Sequence, residues 1–225
     1  MIKAVVFDSD GTLFNSFELI MAADVHIALT HGFRPPTADE VKPLLARALP
    51  ITEIYRALFP GADVEKLAAT GGEFVAANVS KAAAFDGLHD MLQALRELGL
   101  RLAIVTGGNS KIYDLLKHHG IGEYFTSVVH NDRVTNGKPH PEGVELALSE
   151  LGVSTKETVM VGDSKNDLLA GKNAGLAYCI GITHGHGSAE ELEAAGADYI
   201  VGSLTELLPL LKTLNAGVPH AVYRR

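Results

Sequence analysis

The sequence is poor in the residues that would indicate a disulfide-stabilised or membrane-bound protein. It contains one cysteine, Cys179, and no tryptophan. A single cysteine cannot form a disulfide within the chain, and Cys179 lies in the apolar run AYCIGI, where a thiol packs as a small hydrophobic side chain. No apolar run reaches the roughly 20 residues of a membrane-spanning helix, and the segment MIKAVVFDSDG lacks the features of a signal peptide. We therefore expect a cytoplasmic protein that does not bind membranes.

Positive charge is also scarce. The chain has 19 Lys and Arg residues against 27 Asp and Glu residues, a formal net charge of −8. Because nucleic-acid binding relies on basic side chains that neutralise phosphates, this balance argues against nucleic acid as the main partner. It leaves open a local basic pocket for a small anion. With 225 residues, 47% of them hydrophobic, the chain has enough apolar material for a core.

Short apolar runs alternate with segments of helical periodicity through most of the chain. The runs predicted to be strands are residues 2–7, 101–106, 127–130, 158–162, 177–182 and 198–201. Between two of them, apolar side chains recur every three or four residues from Leu88 to Leu98, which predicts a helix that ends at Gly99. This alternation predicts an α/β fold, a doubly wound, Rossmann-like parallel sheet with helices on both faces.

Residues 16–81 interrupt the alternation, because they contain several helical patterns and no convincing strand. The longest of these helices is expected in DVEKLAATGGEFVAANVSK. We predict a helical cap at 16–81, inserted after the first strand into a core formed by 1–15 and 82–225, with hinges near FNSF and AAAF. The last six residues, HAVYRR, are expected to form a loosely held tail.

Two pairs of carboxylates follow predicted strands. Asp8 and Asp10 end the first strand, and Gly11 permits a sharp turn directly after them. Asp163 and Asp167 follow the strand TVMVG. Each acid also has a simpler explanation. The acids of the first pair could cap a turn, and Asp163 could cap a helix. Asp167 could stabilise the first turn of a helix by interacting with the helix dipole. If the four lie together, however, they would repel unless a hard cation such as Mg²⁺ bound them.

Two further segments suit a phosphate group. Thr106 and Gly107 begin the sequence TGGN after the strand RLAIV and are expected to open a helix, so that a hydroxyl and free backbone N–H groups point to one spot. Lys138, in NGKPHPEG, would meet the same phosphate as a point charge. Taken alone, each signal is weak, since Thr and Gly often begin helices and a lysine on a loop is usually solvated.

The motifs DSDGT, TGGN, GKPHPEG and GDSKND, in this order, resemble the haloacid dehalogenase-like hydrolase superfamily over nearly the whole chain. The insertion resembles the small helical cap of its phosphoglycolate phosphatase and β-phosphoglucomutase branch. The resemblance implies that Asp8 is a nucleophile and Asp10 a general acid and base. It also implies that Thr106, Gly107 and Lys138 bind the phosphate.

The same resemblance implies a metal site. Mg²⁺ would be held by the Asp8 carboxylate, the Asp10 backbone carbonyl and Asp163, with Asp167 in support. Dehalogenases of the superfamily lack an Asp two residues after the nucleophile, so the presence of Asp10 favours phosphate ester chemistry.

The predicted function is therefore that of a Mg²⁺-dependent phosphatase, which acts on a small phosphoglycolate-like metabolite through an aspartyl-phosphate intermediate. A phosphomutase of the β-phosphoglucomutase type is the alternative enzyme, and a catalytically inactive phosphate-binding module is the alternative from another class. Arg34, Lys42 and Arg47 are cationic candidates for binding a second anionic group of the substrate. The protein is expected to be a monomer or a homodimer.

Overall fold

A six-stranded parallel sheet forms the centre of the structure, which is a computed structural model describing residues 1–47 and 49–216. Its strands, in chain order, are β1 (Ala4–Phe7), β4 (Arg101–Val105), β5 (Phe125–Val129), β6 (Thr158–Gly162), β7 (Tyr178–Ile182) and β8 (Tyr199–Val201). Each overlaps one of the six predicted strands. Their spatial order is β5-β4-β1-β6-β7-β8, so the predicted doubly wound parallel sheet is confirmed. Two further strands, β2 (Phe14–Asn15) and β3 (Ala83–Ala84), form a separate ribbon. The predicted C-terminal tail lies outside the described residues.

Besides four short 3-10 helices, ten α-helices accompany the strands in the described residues. They are α1 (Phe17–His31), α2 (Ala38–Ala46), α3 (Ile51–Leu58), α4 (Val64–Asn78), α5 (Leu88–Glu97), α6 (Ile112–His118), α7 (Glu142–Leu151), α8 (Lys165–Asn173), α9 (Ala189–Ala194) and α10 (Leu204–Ala216). Within the described ranges, we find no helix whose length and apolar character would let it cross a lipid bilayer.

The sheet is buried on both faces, as its continuous apolar strands require. All four residues of β1 are buried. Val5 and Phe7 belong to the core on one face of the sheet, whereas Ala4 and Val6 belong to the core on the other. Because β1 lies between β4 and β6, its carboxyl end is flanked by the ends of both neighbouring strands.

Helix α5 differs in one respect from the pattern in the sequence. Leu88, Met91, Leu92 and Leu95 are buried as predicted, but Leu98 is 48% exposed. The helix ends at Glu97, and the chain turns at Gly99, whose φ of 73° is in the left-handed region. Leu98 is the C-cap residue, so the turn carries its side chain away from the buried face.

Two very short strands were not predicted. β2 (Phe14–Asn15) pairs antiparallel with β3 (Ala83–Ala84), in the segments where hinges were expected. Strands of two residues are too short to show an alternating pattern, which explains why the sequence did not reveal them. This ribbon joins the first and last residues of the connection that contains α1 to α4.

We call α1 to α4 the helical segment. It has a hydrophobic core of its own, formed by Ile27, Ala28, Ile54, Tyr55, Phe59 and Leu67. α4 is continuous through its two glycines, as predicted. A Cβ at Gly71 would lie 2.6 Å from the Tyr55 hydroxyl and 2.8 Å from Ile27, so glycine is needed where α4 packs closely on α1 and α3. The boundaries 16 and 81 of the cap remain a prediction.

Candidate active site

Three neighbouring strands deliver polar side chains to one edge of the sheet. Asp8 follows β1, Thr106 follows β4 and Asp163 follows β6. The side chains are buried, with 6%, 4% and 1% of their residues' surfaces exposed. Ligands of open α/β sheets bind outside the carboxyl ends of the strands, and the sequence predicted these residues to meet there.

Asp8, Asp163 and Asp167 form an acidic cluster in which carboxylate oxygens lie within 4.8 Å of one another. Burial, followed by the charge of Asp167, raises the pKa of Asp8 well above its usual range. The same two causes raise the pKa of Asp163 to about 7. Buried carboxylates this close are costly without a cation, so the cluster is suited to bind one.

Lys138 supplies one positive charge to this cluster. Its Nζ donates to Oδ1 of Asp8 and to Oδ1 of Asp167, each at 2.5 Å, and to the carbonyl oxygen of Val105 at 3.0 Å. Burial alone would lower the pKa of Lys138, but the two carboxylates outweigh burial and raise it. The lysine is therefore not a solvated loop residue, and it remains charged at neutral pH.

Asp167 has two structural partners. Its Oδ1 faces Lys138, while its Oδ2 accepts hydrogen bonds from the backbone N–H of Ser164 at 3.0 Å and from the Ser164 hydroxyl at 2.6 Å. Ser164 is the N-cap of α8, so Asp163 does not cap this helix. The alternative that Asp163 caps a helix was therefore wrong. The alternative that Asp167 acts at the start of a helix accounts for its Oδ2, which accepts from Ser164, but not for its Oδ1, which faces Lys138.

The loop after β7 and the turn after Asp10 hold Asp163 in place. The backbone N–H of His186 donates to Oδ2 of Asp163 at 2.7 Å, and the Thr12 hydroxyl donates to its Oδ1 at 3.3 Å. Gly11 has a φ of 80°, and a Cβ there would lie 2.1 Å from the Asp163 carboxylate. The sequence predicted that Gly11 permits a turn, and the structure adds that it makes room for Asp163.

Asp10 occupies a different position from Asp8. Its side chain is open to the cavity above the sheet, although protein atoms surround it closely. This crowding raises the pKa of Asp10, and the neighbouring Ser16 hydroxyl opposes the shift. A carboxyl group with a raised pKa facing a cavity can exchange a proton with a bound molecule.

The loop after β4 is held by hydrogen bonds rather than by a helix. The Thr106 hydroxyl oxygen accepts from the Gly108 backbone N–H at 3.0 Å. Asn131 donates through its side chain to the carbonyl oxygen of Gly107 at 2.6 Å and through its backbone to that of Gly108 at 2.9 Å. The prediction that TGGN opens a helix was wrong, since α6 begins only at Ile112. The loop itself presents Thr106 and Gly107 to the cavity.

A cavity of about 530 Å³ lies between these loops and the helical segment. All the predicted catalytic, phosphate-binding and metal-binding residues line it: Asp8, Asp10, Thr106, Gly107, Lys138, Asp163 and Asp167. Asn131 and His186 also line it, and neither was predicted from the sequence. His186 lies in THGHGS after β7, so its position at a strand end was the available signal.

The predicted specificity residues lie elsewhere. Arg34 pairs with Glu40 at 2.6 Å, and Lys42 lies over the Phe17 ring, 5.1 Å from its centroid. Arg47 is exposed. Among the described residues, the cavity lining does not include any of the three.

Comparison with known proteins agrees with this geometry. The family model described as haloacid dehalogenase-like hydrolase matches residues 5–180. A pyrophosphatase, PpaX, of Halalkalibacterium halodurans is 33% identical over 215 residues, covering 93% of this chain and 97% of the relative. A phosphoglycolate phosphatase of Vibrio parahaemolyticus is 32% identical over 222 residues, covering 93% of this chain and 96% of the relative.

Solved structures show the same architecture. The chain matches CbbY from Rhodobacter sphaeroides, solved in complex with phosphate, with a TM-score of 0.76 and 29% identity. The match covers 92% of this chain and 96% of CbbY. A haloacid dehalogenase-like hydrolase from Streptococcus pneumoniae matches with a TM-score of 0.84 and coverage of 93% and 98%, and at 23% identity it shows the fold alone. The fold and site thus define a hydrolase of the α/β class. The chain belongs to the haloacid dehalogenase-like hydrolase family, and the predicted family is confirmed.

Proposed function

We propose that this protein is a Mg²⁺-dependent phosphatase that hydrolyses small phosphorylated metabolites, chiefly phosphate monoesters, through an aspartyl-phosphate on Asp8. The observation that carries the proposal is the buried Asp8, which shares the Lys138 ammonium with Asp167 at the floor of a cavity. The names of the relatives, a pyrophosphatase and a phosphoglycolate phosphatase, support phosphoryl chemistry.

The residues present fit a magnesium ion. Three buried carboxylates within 4.8 Å offer only oxygen ligands, which is the donor set that Mg²⁺ prefers. Asp8, Asp163 and Asp167 would hold it, with the Asp10 backbone carbonyl as a further ligand. When bound, Mg²⁺ neutralises charge that develops on the phosphoryl oxygens.

The side chains account for both half-reactions. An Asp8 oxygen attacks phosphorus, the ester P–O bond breaks with its electron pair remaining on the leaving oxygen, and Asp10 donates a proton to that oxygen. Asp10 then takes a proton from the water that attacks the aspartyl-phosphate, which releases phosphate and restores Asp8. Thr106, the Gly107 N–H and Lys138 orient the phosphoryl group throughout.

The helical segment supports a preference for small substrates. It forms the wall of the cavity that faces the sheet loops, and the short ribbon β2–β3 connects it to the sheet. We propose that residues 16–81 act as a cap that excludes water and large substrates. A small phosphate ester should therefore be hydrolysed, whereas a phosphoprotein should not.

The test is a Mg²⁺ titration of the purified protein with phosphoglycolate, pyrophosphate, acetyl phosphate and a phosphoprotein. Phosphate release that requires Mg²⁺ and is abolished by a chelator is expected for the small compounds. Full activity after exhaustive metal removal would refute the proposal. Incubation with a sugar 1-phosphate, followed by analysis for the sugar 6-phosphate, distinguishes the phosphomutase alternative.

A further inference from the structure

The wall opposite the catalytic floor is apolar. The helical segment and its connections contribute eight of its side chains, which are Leu19 and Ile20 on α1 together with Leu45, Leu49, Ile51, Ile54, Val75 and Val79. The floor, in contrast, carries Asp8, Asp10, Asp163, Asp167 and Lys138. A molecule with its phosphate on this floor therefore places the rest of its structure against hydrocarbon side chains.

Positive charge is almost absent from that wall. Among the described lining residues, the lysines are Lys138 and Lys111. Lys138 is held between Asp8 and Asp167 on the floor. Lys111 belongs to the loop before α6, is half exposed, and lies 3.4 Å from Asp114. The helical segment itself contributes no Lys or Arg to the described lining, since its basic residues Arg34, Lys42, Arg47, Arg56 and Lys66 all lie outside it.

From this arrangement we propose that the preferred substrate is a phosphate monoester of an uncharged, predominantly apolar alcohol, an inference that rests on the proposed phosphatase function. A second anionic group, such as a carboxylate or another phosphate, would lose water at the apolar wall and find no cation there to compensate. It would also enter a cavity whose floor carries four aspartates. An alkyl or aryl group, by contrast, gains free energy from burial against the same wall.

The size of the cavity agrees with such a substrate. About 530 Å³ lies within the range of roughly 300–1,000 Å³ that is common for small-molecule sites. This volume accommodates a phosphate with an organic group of several carbons. Phosphoglycolate, with two carbons and a charged end, would leave much of the apolar wall in contact with water.

The inference can be tested with phosphate esters whose leaving groups have similar reactivity but different length. The alcohols of n-alkyl phosphates from methyl to butyl are similar leaving groups, so differences in kcat/KM report contacts of the chain with the wall. We expect kcat/KM to rise about four-fold for each added methylene group. We also expect the kcat/KM of butyl phosphate to exceed that of 4-phosphonooxybutanoate, which has a carboxylate in place of the terminal methyl group, by about ten-fold. If kcat/KM did not rise along the series, or if the carboxylate ester were equally good, the inference would be overturned.

A charge placed on the wall should change this preference. Ile51 lines the cavity and is 46% exposed, so Ile51→Lys adds a cation without opening the core. We expect it to shift the ratio of kcat/KM toward 4-phosphonooxybutanoate by about five-fold. Leu29→Lys adds the same charge on α1 at a residue that is 69% exposed and outside the described lining, and should leave the ratio unchanged. Equal shifts in both variants would contradict a local effect of the wall.

The two proposals fail in different ways. Acetyl phosphate carries a small acetyl group that is uncharged in the substrate and leaves as acetate without needing a proton, so it tests the floor with little contribution from the wall. If neither acetyl phosphate nor any ester is hydrolysed, both the phosphatase function and the inference that rests on it are refuted. If acetyl phosphate, phosphoglycolate and pyrophosphate are hydrolysed but butyl phosphate is not, the function stands and the substrate inference is wrong.

Discussion

Two regions of the molecule bury carboxylates, and they do so differently. On the catalytic floor, Asp8 and Asp167 share the ammonium group of Lys138. In the helical segment, Asp24 on α1 is 2% exposed, and its Oδ2 has no hydrogen-bond partner within the part of the chain that the structure describes. Burial raises the pKa of Asp24 to about 7. Burial raises the pKa of Asp8 and Asp163 on the floor as well, but there the charge of Lys138 opposes the shift, whereas no cation among the described residues opposes it at Asp24.

The same contrast extends to the surfaces that the two regions present to the cavity. The floor is charged and hydrogen-bonded, and its groups are fixed by β1, β4, β6 and their loops. The helical segment offers apolar side chains. Under the two proposals made above, the sheet loops carry out the chemistry and the helical segment contacts the leaving group.

The largest effect is expected at the nucleophile. An amide is neither a competent nucleophile nor an anionic ligand, so Asp8→Asn should lower kcat by at least about 10⁴-fold with every substrate. Steady-state phosphate release measures this loss. Asp90→Asn, an exposed residue of α5 outside the described cavity lining, is the matched control and should keep full activity. Retention of activity in Asp8→Asn would show that the floor works through another group.

Removal of the shared cation should have the next largest effect. Lys138→Met keeps a side chain of similar length but deletes the charge that faces Asp8 and Asp167, so we expect kcat/KM to fall about 10²- to 10³-fold. Circular dichroism establishes that the variant is folded. The exposed Lys117 on α6 provides the control, Lys117→Met, for which wild-type kinetics are expected. Wild-type kinetics in Lys138→Met would remove this lysine from the mechanism.

A smaller effect, on stability, is expected in the helical segment. The folded state holds the Asp24 proton more tightly than the unfolded chain does, because the pKa rises from 3.8 to about 7 on folding. The contribution of Asp24 to stability is therefore complete below about pH 4 and declines as the pH rises to about 7, with a loss of at most about 4 kcal/mol. Asp24→Asn, which cannot ionise, should stabilise the protein at pH 8 and change little at pH 4.

Urea unfolding at the two pH values measures this difference. Asp39→Asn, at an exposed residue of α2 in the same helical segment, is the control, and we expect its change in unfolding free energy to differ little between the two pH values. Equal effects of Asp24→Asn at pH 4 and pH 8 would mean that Asp24 is not protonated in the folded protein.

Much of the catalytic floor could be predicted because it follows from position at strand ends. Asp8, Thr106 and Asp163 each come directly after an apolar run, and parallel strands bring such residues to one edge. His186 and Asn131 were missed because their contacts depend on the paths of two loops, which periodicity does not describe. The burial of Asp24 was also not predicted. It lies beside the apolar residues Ala23 and Ile27 on α1, and only the packing of the helices determines which polar neighbour is enclosed.

The specificity residues illustrate the same limit. Arg34, Lys42 and Arg47 were predicted from their charge within the predicted cap, but Arg34, in the loop before α2, pairs with Glu40, and Lys42 lies over the Phe17 ring. The residues that do reach the cavity are aliphatic. In a sequence, these aliphatic residues are indistinguishable from those of a helical core.

The most direct test of the account is to trap the phosphoryl group on Asp8. In Asp10→Asn, the phenolate of p-nitrophenyl phosphate can leave without a proton, whereas water that attacks the aspartyl-phosphate has lost its base. We predict a burst of nitrophenolate followed by slow turnover, and peptide mass spectrometry after acid quench should find one phosphoryl group on Asp8. A burst with no phosphoryl group on Asp8, or with the group on another residue, would contradict the central claim that the buried Asp8 beside Lys138 attacks phosphorus.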